Sequence, residues 1–244
     1  MGLSLVFNEA PAPLSKFLDA YRTQGFQQIE GWCADEMFKV CSFIDELQRS
    51  KKVSGGACEI GVNQGKFFIL LNALVDENET SYAIDLFENQ EFNVDHSSGG
   101  PREAFEKHLA KFDRHEGGNV KIITADSTDS ALRPCISGGR IRMLSVDGGR
   151  TAGHVVNDLS LASQIITNGG VVIVNDVMHY HWIGVIEGIF KFLMQSPALV
   201  PFAIGFNRLF MCKLSWYPIY FNAFNSSAMR KNAVPMLGRQ IVVL

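Results

Sequence analysis

Asp147, Asn175 and Asp176 are oxygen donors of the kind a hard divalent cation takes, and His179 and His181 follow as candidate proton acceptors. Arg150 stands three residues after Asp147, near enough to neutralise it. Well upstream, Glu59-Ile60-Gly61-Val62-Asn63-Gln64-Gly65 joins a short buried strand to an apolar helix that starts near Gln64. Glycine at 61 and 65 lets backbone approach a ligand, and the helix start offers unpaired N–H groups and a positive dipole end. The G-x-x-x-G spacing differs from the G-x-G-x-x-G turn that seats a pyrophosphate. Glu59 would repel a pyrophosphate but accept hydrogen bonds from a cationic or hydroxylated ligand. An ordinary strand-turn-helix crossover has the same local signature.

Asp85 lies 24 positions after Gly61, at the tip of the apolar strand read from the stretch Ser81 to Glu88. Its two oxygens suit two ribose hydroxyls, which points to a nucleoside, and Leu86 and Phe87 would lie against the base. The strand Val120 to Thr124 delivers Asp126 and Ser127, an acceptor for an exocyclic amine and a hydroxyl for a ring nitrogen; Asp126 capping a helix from Ser130 is the alternative. The polar, glycine-rich stretch 89–101 reads as a loop over the site, with His96 unassigned. His154 falls in a helix whose register turns it to the sheet or to solvent, a structural position.

These residues need elements to hold them. Apolar spacing predicts helices over Leu14 to Gln27, Ala34 to Arg49, Arg102 to His115 and Gly153 to Ile166. Further strands are expected at 141–147 and 169–176. Strands alternating with helices argue for an α/β, doubly wound, mostly parallel sheet with ligands outside the carboxyl ends of its strands. Two β-rich runs around Asn207 predict an antiparallel hairpin, followed by an aromatic helix from Trp216 to Arg230 and a last strand at Gln240 to Leu244. No linker divides the chain, so one domain over 1–244 is expected: an N-terminal helical cap (1–53), a binding core (54–215) and a C-terminal helix and strand (216–244).

The net charge of −3 and 19% charged residues give no basic excess that would mark nucleic acid or an anionic membrane as a partner. Five scattered cysteines without a C-x-x-C pair indicate neither a disulfide framework nor a zinc site, and no apolar run is long enough to span a bilayer. A cytoplasmic protein acting on a small molecule is expected, with the apolar N-terminal arm suited to a homodimer contact. Of the 18 phenylalanines, several fall between Phe190 and Phe224, a segment that is either heavily packed or lines an apolar pocket.

The glycine loop with Glu59 ahead of it resembles motif I of the class I S-adenosylmethionine-dependent methyltransferases. Asp147-Gly148-Gly149-Arg150, Val155, Asp158-Leu159, Gly169-Gly170, Asn175-Asp176 and Gly184-Val185 resemble the D-G-x-H-x-Y, L-x-x-G-G, D-D and P-G-V segments of small bacterial O-methyltransferases of the macrocin or sugar type. The resemblance covers about residues 55–195. It implies a seven-stranded Rossmann-like sheet and S-adenosylmethionine bound through Glu59, Gly61, Gly65, Asp85, Leu86, Asp126, Ser127 and Asp147. Methyl transfer to a hydroxyl of a sugar, polyol or phenol is the implied activity. A degenerate S-adenosylmethionine-binding module and a nicotinamide oxidoreductase are the alternatives. Arg150 stands where the pattern has histidine, Ala152 where it has tyrosine and Asn175 where it has the first aspartate, positions that bind a cation and supply a base in relatives. Two readings of the metal follow: Asp147, Asn175 and Asp176 make half of an octahedral Mg²⁺ site, or Asp147 and Asp176 cap helices or pair with Arg150. The catalytic candidates are His179, His181 and Arg150.

Overall fold

The computed structural model describes residues 12–93, 99–136, 140–195 and 198–244. Helix α1 (Ala12–Ala20) runs through a π-helical turn (Tyr21–Gly25) into a last turn, α2 (Phe26–Gln28), and α3 (Met37–Ser50) follows. The alternation then begins: β1 (Gly56–Ile60), α4 (Lys66–Ala73), β2 (Ser81–Asp85), α5 (Arg102–Phe112), β3 (Val120–Thr124), α6 (Leu132–Cys135), β4 (Ile141–Val146), α7 (Ala152–Ile165), β5 (Ile166–Val174) and α8 (Ile183–Gln195). A hairpin of β6 (Val200–Gly205) and β7 (Arg208–Cys212), helix α9 (Tyr217–Asn225) and a second hairpin of β8 (Asn232–Met236) and β9 (Arg239–Val243) complete the described chain.

The strands form one sheet in the order β3-β2-β1-β4-β5-β7-β6-β9-β8, nine strands where seven were expected. The surplus lies in residues 232–243: β9 is the last strand expected at Gln240 to Leu244 and adds in parallel to β6, while β8 was not expected and pairs with it through a turn at Leu237 (φ 47°) and Gly238 (φ 76°). Pro235 is tolerated because β8 is the sheet edge and its missing N–H interrupts no inner ladder. The β6–β7 hairpin forms around Phe206 and Asn207 as expected, both with positive φ (54° and 60°), the turn whose twist matches its strands. Strand β5 starts at Ile166, three residues earlier than expected, and the irregularity at Gly169 (φ 93°) is taken up by a register shift against β4. The aromatic helix is shorter than its apolar pattern: Ser227 Oγ donates to the Phe224 carbonyl and accepts from Met229 N, turning the chain toward β8.

The central strands are buried on both faces, as parallel strands between helix layers must be. In β5, Val171 and Ile173 join a core beneath α1, α3, α4 and α9, while Val172 and Val174 join the one beneath α7 and α8. The aromatic C-terminal segment is packed: Phe202 stacks on Tyr220 at 4.8 Å and Phe224 meets Phe43 edge-on at 4.9 Å. Arg142 is the buried exception in β4, only 1% exposed. It is held by Asp45 Oδ1 (2.7 Å), Gln48 Oε1 (2.7 Å) and the carbonyls of Gly55 and Leu74, which fixes α3 to the sheet at the end away from the site. All five cysteines are free. Among the described residues no helix is long and apolar enough to cross a membrane.

Candidate active site

The five parallel strands β1 to β5 end level with one another. Just past their ends, Gly61 N donates to the Ile84 carbonyl (2.8 Å), Ala125 N to Asp85 (3.0 Å), Asp147 N to Ile60 (2.8 Å) and Asn175 N to Val146 (3.0 Å). Past these bonds the chains diverge into loops around a cavity of about 400 Å³, within the size range of small-ligand pockets. Gly61 is required at this lip: its φ is 84°, and a Cβ there would stand 2.2 Å from the Asp147 carbonyl oxygen. Gly65 also has a left-handed φ of 91°, but its missing Cβ makes room for the Phe105 ring, and it lies outside the cavity lining. It shapes the start of α4 from behind; the expected ligand approach at Gly65 is not what the fold provides.

At one end of the cavity, Asp85 Oδ2 accepts from Asn63 N and Oδ1 from Phe87 N, each at 2.8 Å. The carboxylate thus ties the glycine loop to the loop after β2, and each oxygen keeps a lone pair for a ligand. Burial pushes Asp85 upward from its ordinary value, and the backbone N–H donors pull it back. Leu86 lines the cavity, but Phe87 does not: it is buried against Phe105 at 5.9 Å. Asp126 and Ser127 line the same end. Asp126 Oδ1 accepts from the backbone N and Oγ1 of Thr128, so it closes its own turn and does not cap α6. Gln90 and Asn93 add amides beside them, and residues 94–98, with His96, lie outside the described residues, as does the N-terminal arm before Ala12.

Glu59 forms the floor. It is 2% exposed, and its Oε2 has no hydrogen-bond partner among the described residues. Burial first, then repulsion from Asp147, push it up to about 8, while Arg208 opposes the shift. Asp147 is likewise pushed upward by burial, against the pull of Arg208 and Arg150.

The opposite end is built on Arg150. Its Nε donates to Asp176 Oδ2 at 2.7 Å and its Nη2 to Asp147 Oδ1 at 3.2 Å, and the guanidinium lies 5.2 Å from the Trp182 ring centroid. Asn175 Nδ2 donates to Asp147 Oδ1 (2.9 Å), and Asn207 Nδ2, from the β6–β7 turn, donates to Asp176 Oδ1 (2.9 Å). Asp176 sits in the left-handed region (φ 60°), a strained backbone of the sort concentrated at sites. Asp147, Asn175 and Asp176 therefore converge, with Asp147 and Asp176 as partners of Arg150, the second of the two expected readings. Mg²⁺ does not fit this donor set: the carboxylates are turned onto N–H groups, and the Asn175 amide presents its nitrogen. Among the described residues no three His, Cys, Asp or Glu side chains are grouped as a metal site would need.

His179 lines the cavity, with a buried Nδ1 that has no partner among the described residues; His181 is exposed, lies tilted against Tyr180 with ring centroids 4.1 Å apart, and falls outside the lining. His154 also lines the cavity, its Nδ1 2.7 Å from Thr151 Oγ1, contrary to its expected structural placement. Helical register alone cannot decide this, because Gly149 leaves the space into which the ring turns. Sequence reasoning also missed Trp32, 95% exposed at the rim, and Lys66, which lies over Phe26. Nothing local marks Trp32, whose segment reaches the site only through the packing of α1 and α3. Asn207 carried a signal only as a turn residue.

A family model described as a methyltransferase domain matches residues 58–177. No curated protein matches the chain. Among solved structures, the O-methyltransferase NovP is 13% identical with a TM-score of 0.65, covering 82% of this chain and 98% of its own. The Bacillus cereus O-methyltransferase in complex with S-adenosylhomocysteine is 13% identical at a TM-score of 0.54, over 84% of this chain and 92% of that one. TomG from Streptomyces achromogenes, in complex with S-adenosylmethionine, is 16% identical at 0.51, over 85% and 91%. The domain match places a methyltransferase domain at residues 58–177, and the parallel strands followed by an antiparallel hairpin give this chain the fold of those O-methyltransferase structures.

Proposed function

We propose that this protein transfers the methyl group of S-adenosylmethionine to a hydroxyl oxygen of a small metabolite, a sugar, other polyol or phenol. The observation that carries the reading is one cavity with nucleoside-type acceptors at one end and a charged, aromatic-walled cluster at the other. Asp85 accepts from the ribose hydroxyls, Asp126 and Ser127 meet the base, and Glu59 accepts from the amino group of the methionine part. The bound sulfonium supplies an already electrophilic methyl carbon, so this chain's residues have to align the acceptor and take its proton. His179 takes that proton: the acceptor oxygen bonds to the methyl carbon as the carbon–sulfur bond breaks, and the proton passes to the imidazole. Trp182 and the rim Trp32 flank the acceptor and keep water from the reacting oxygen.

Calorimetric titration with S-adenosylhomocysteine is the deciding test. Binding in the micromolar range, followed by transfer of label from methyl-labelled S-adenosylmethionine in a panel of hydroxylated metabolites, supports the reading. Absence of affinity for both S-adenosylmethionine and S-adenosylhomocysteine would defeat it.

A further inference from the structure

We infer that Arg150 is the permanent cation of this site and that the protein methylates without a divalent metal ion. The inference deepens the proposed methyl transfer and rests on it for its catalytic meaning, but the geometry behind it does not. All four oxygens of the two site carboxylates already face positive or N–H groups. Asp147 Oδ1 takes Arg150 Nη2 (3.2 Å) and Asn175 Nδ2 (2.9 Å), and Asp147 Oδ2 faces Arg208 Nη2 at 4.0 Å. Asp176 Oδ2 takes Arg150 Nε (2.7 Å), and Asp176 Oδ1 takes Asn207 Nδ2 (2.9 Å).

Charge counting points the same way. Two carboxylates stand against two guanidiniums, so the cluster is already neutral, and a dication would arrive with nothing to balance it. A Mg²⁺ ion demands near-octahedral oxygen ligands, yet the Asn175 amide offers its nitrogen to Asp147 and the cluster supplies no third carboxylate. To enter, the ion would have to evict a planar guanidinium held by two carboxylates and packed on Trp182 at 5.2 Å. Arg150 thus fixes Asp147 and Asp176 in place and supplies positive charge beside the acceptor end of the cavity, both tasks a metal would otherwise perform. It is a positioning residue on this account.

Mn²⁺, counted by its electron paramagnetic resonance signal, is the probe, with S-adenosylhomocysteine affinity measured on the same samples. The full-length wild type should take up no Mn²⁺ at millimolar concentration, and its unfolding midpoint should be the same in Mg²⁺ and in EDTA. Arg150→Ala should release the two carboxylates and bind Mn²⁺ at least tenfold more tightly, with a metal-dependent rise in its unfolding midpoint. Arg150→Lys, which keeps the charge, should behave as wild type. Stoichiometric Mn²⁺ uptake by the wild type, lost in Asp147→Asn, overturns the inference whether or not the variants fold. A folded Arg150→Ala that still refuses Mn²⁺ also overturns it, since something other than Arg150 would then exclude the ion. Loss of S-adenosylhomocysteine binding by the wild type counts against the methyl-transfer reading alone and leaves the Mn²⁺ result intact.

Discussion

Lowering the pH from 8 to 6 should weaken the binding of S-adenosylhomocysteine about 50-fold, because Glu59 must give up a proton to receive the ligand's ammonium group. The carboxyl is 2% exposed, with one oxygen unpartnered among the described residues, and burial together with Asp147 pushes it up to about 8. Two pH units below that value only about 1% of Glu59 is ionised, and the affinity of a cation for it falls in proportion. Without ligand the sign reverses. The folded chain holds the proton up to about 8 whereas the unfolded chain releases it near 4.5, so stability declines as pH rises through that window, by at most roughly 5 kcal/mol. Titration calorimetry in two buffers of different ionisation heat should count close to one proton released per ligand at pH 7. Glu59→Gln, a neutral isostere, should flatten both dependences and cost more affinity at pH 8 than at pH 6. An affinity that stays constant from pH 6 to 8 with no buffer-dependent heat would refute this account of Glu59.

Asp85→Ala should weaken S-adenosylhomocysteine at least tenfold, since a charge-assisted hydrogen bond is worth about 1.5–3 kcal/mol and the backbone anchors at Asn63 and Phe87 go with it; an unchanged dissociation constant would move the ribose elsewhere. Asp45→Ala leaves Arg142 buried without its carboxylate, so the fold should lose about 3–5 kcal/mol and the midpoint fall by roughly 6–20 °C, read by thermal denaturation. Its ligand affinity should hold, because that pair lies at the other end of the sheet. His179→Gln should lower turnover by about 10²–10⁴ while His181→Gln leaves it unchanged, and equal effects in a label-transfer assay would remove His179 as the proton acceptor.

The sequence by itself determined the alternation of strands and helices, the position of Gly61 at the lip, and the placing of Glu59, Asp85, Asp126 and Asp147 at the carboxyl ends of strands. Those features are local: an apolar run marks a strand, and parallel winding brings all such ends to one edge. The tertiary structure alone decided what the groups do to one another. Arg150 reaches Asp176 across 26 residues and Asn207 reaches it across 31, because three loops that are unrelated in sequence leave the sheet at the same height. Gly65 could not be told from Gly61 until Phe105 filled the space behind it, and His154 needed the gap at Gly149 to turn inward. The outer hairpin of β8 and β9 was legible only in part, since an edge strand with no buried residue carries little apolar signal. Periodicity fixes which face a side chain leaves from, and only the closed fold fixes what stands opposite.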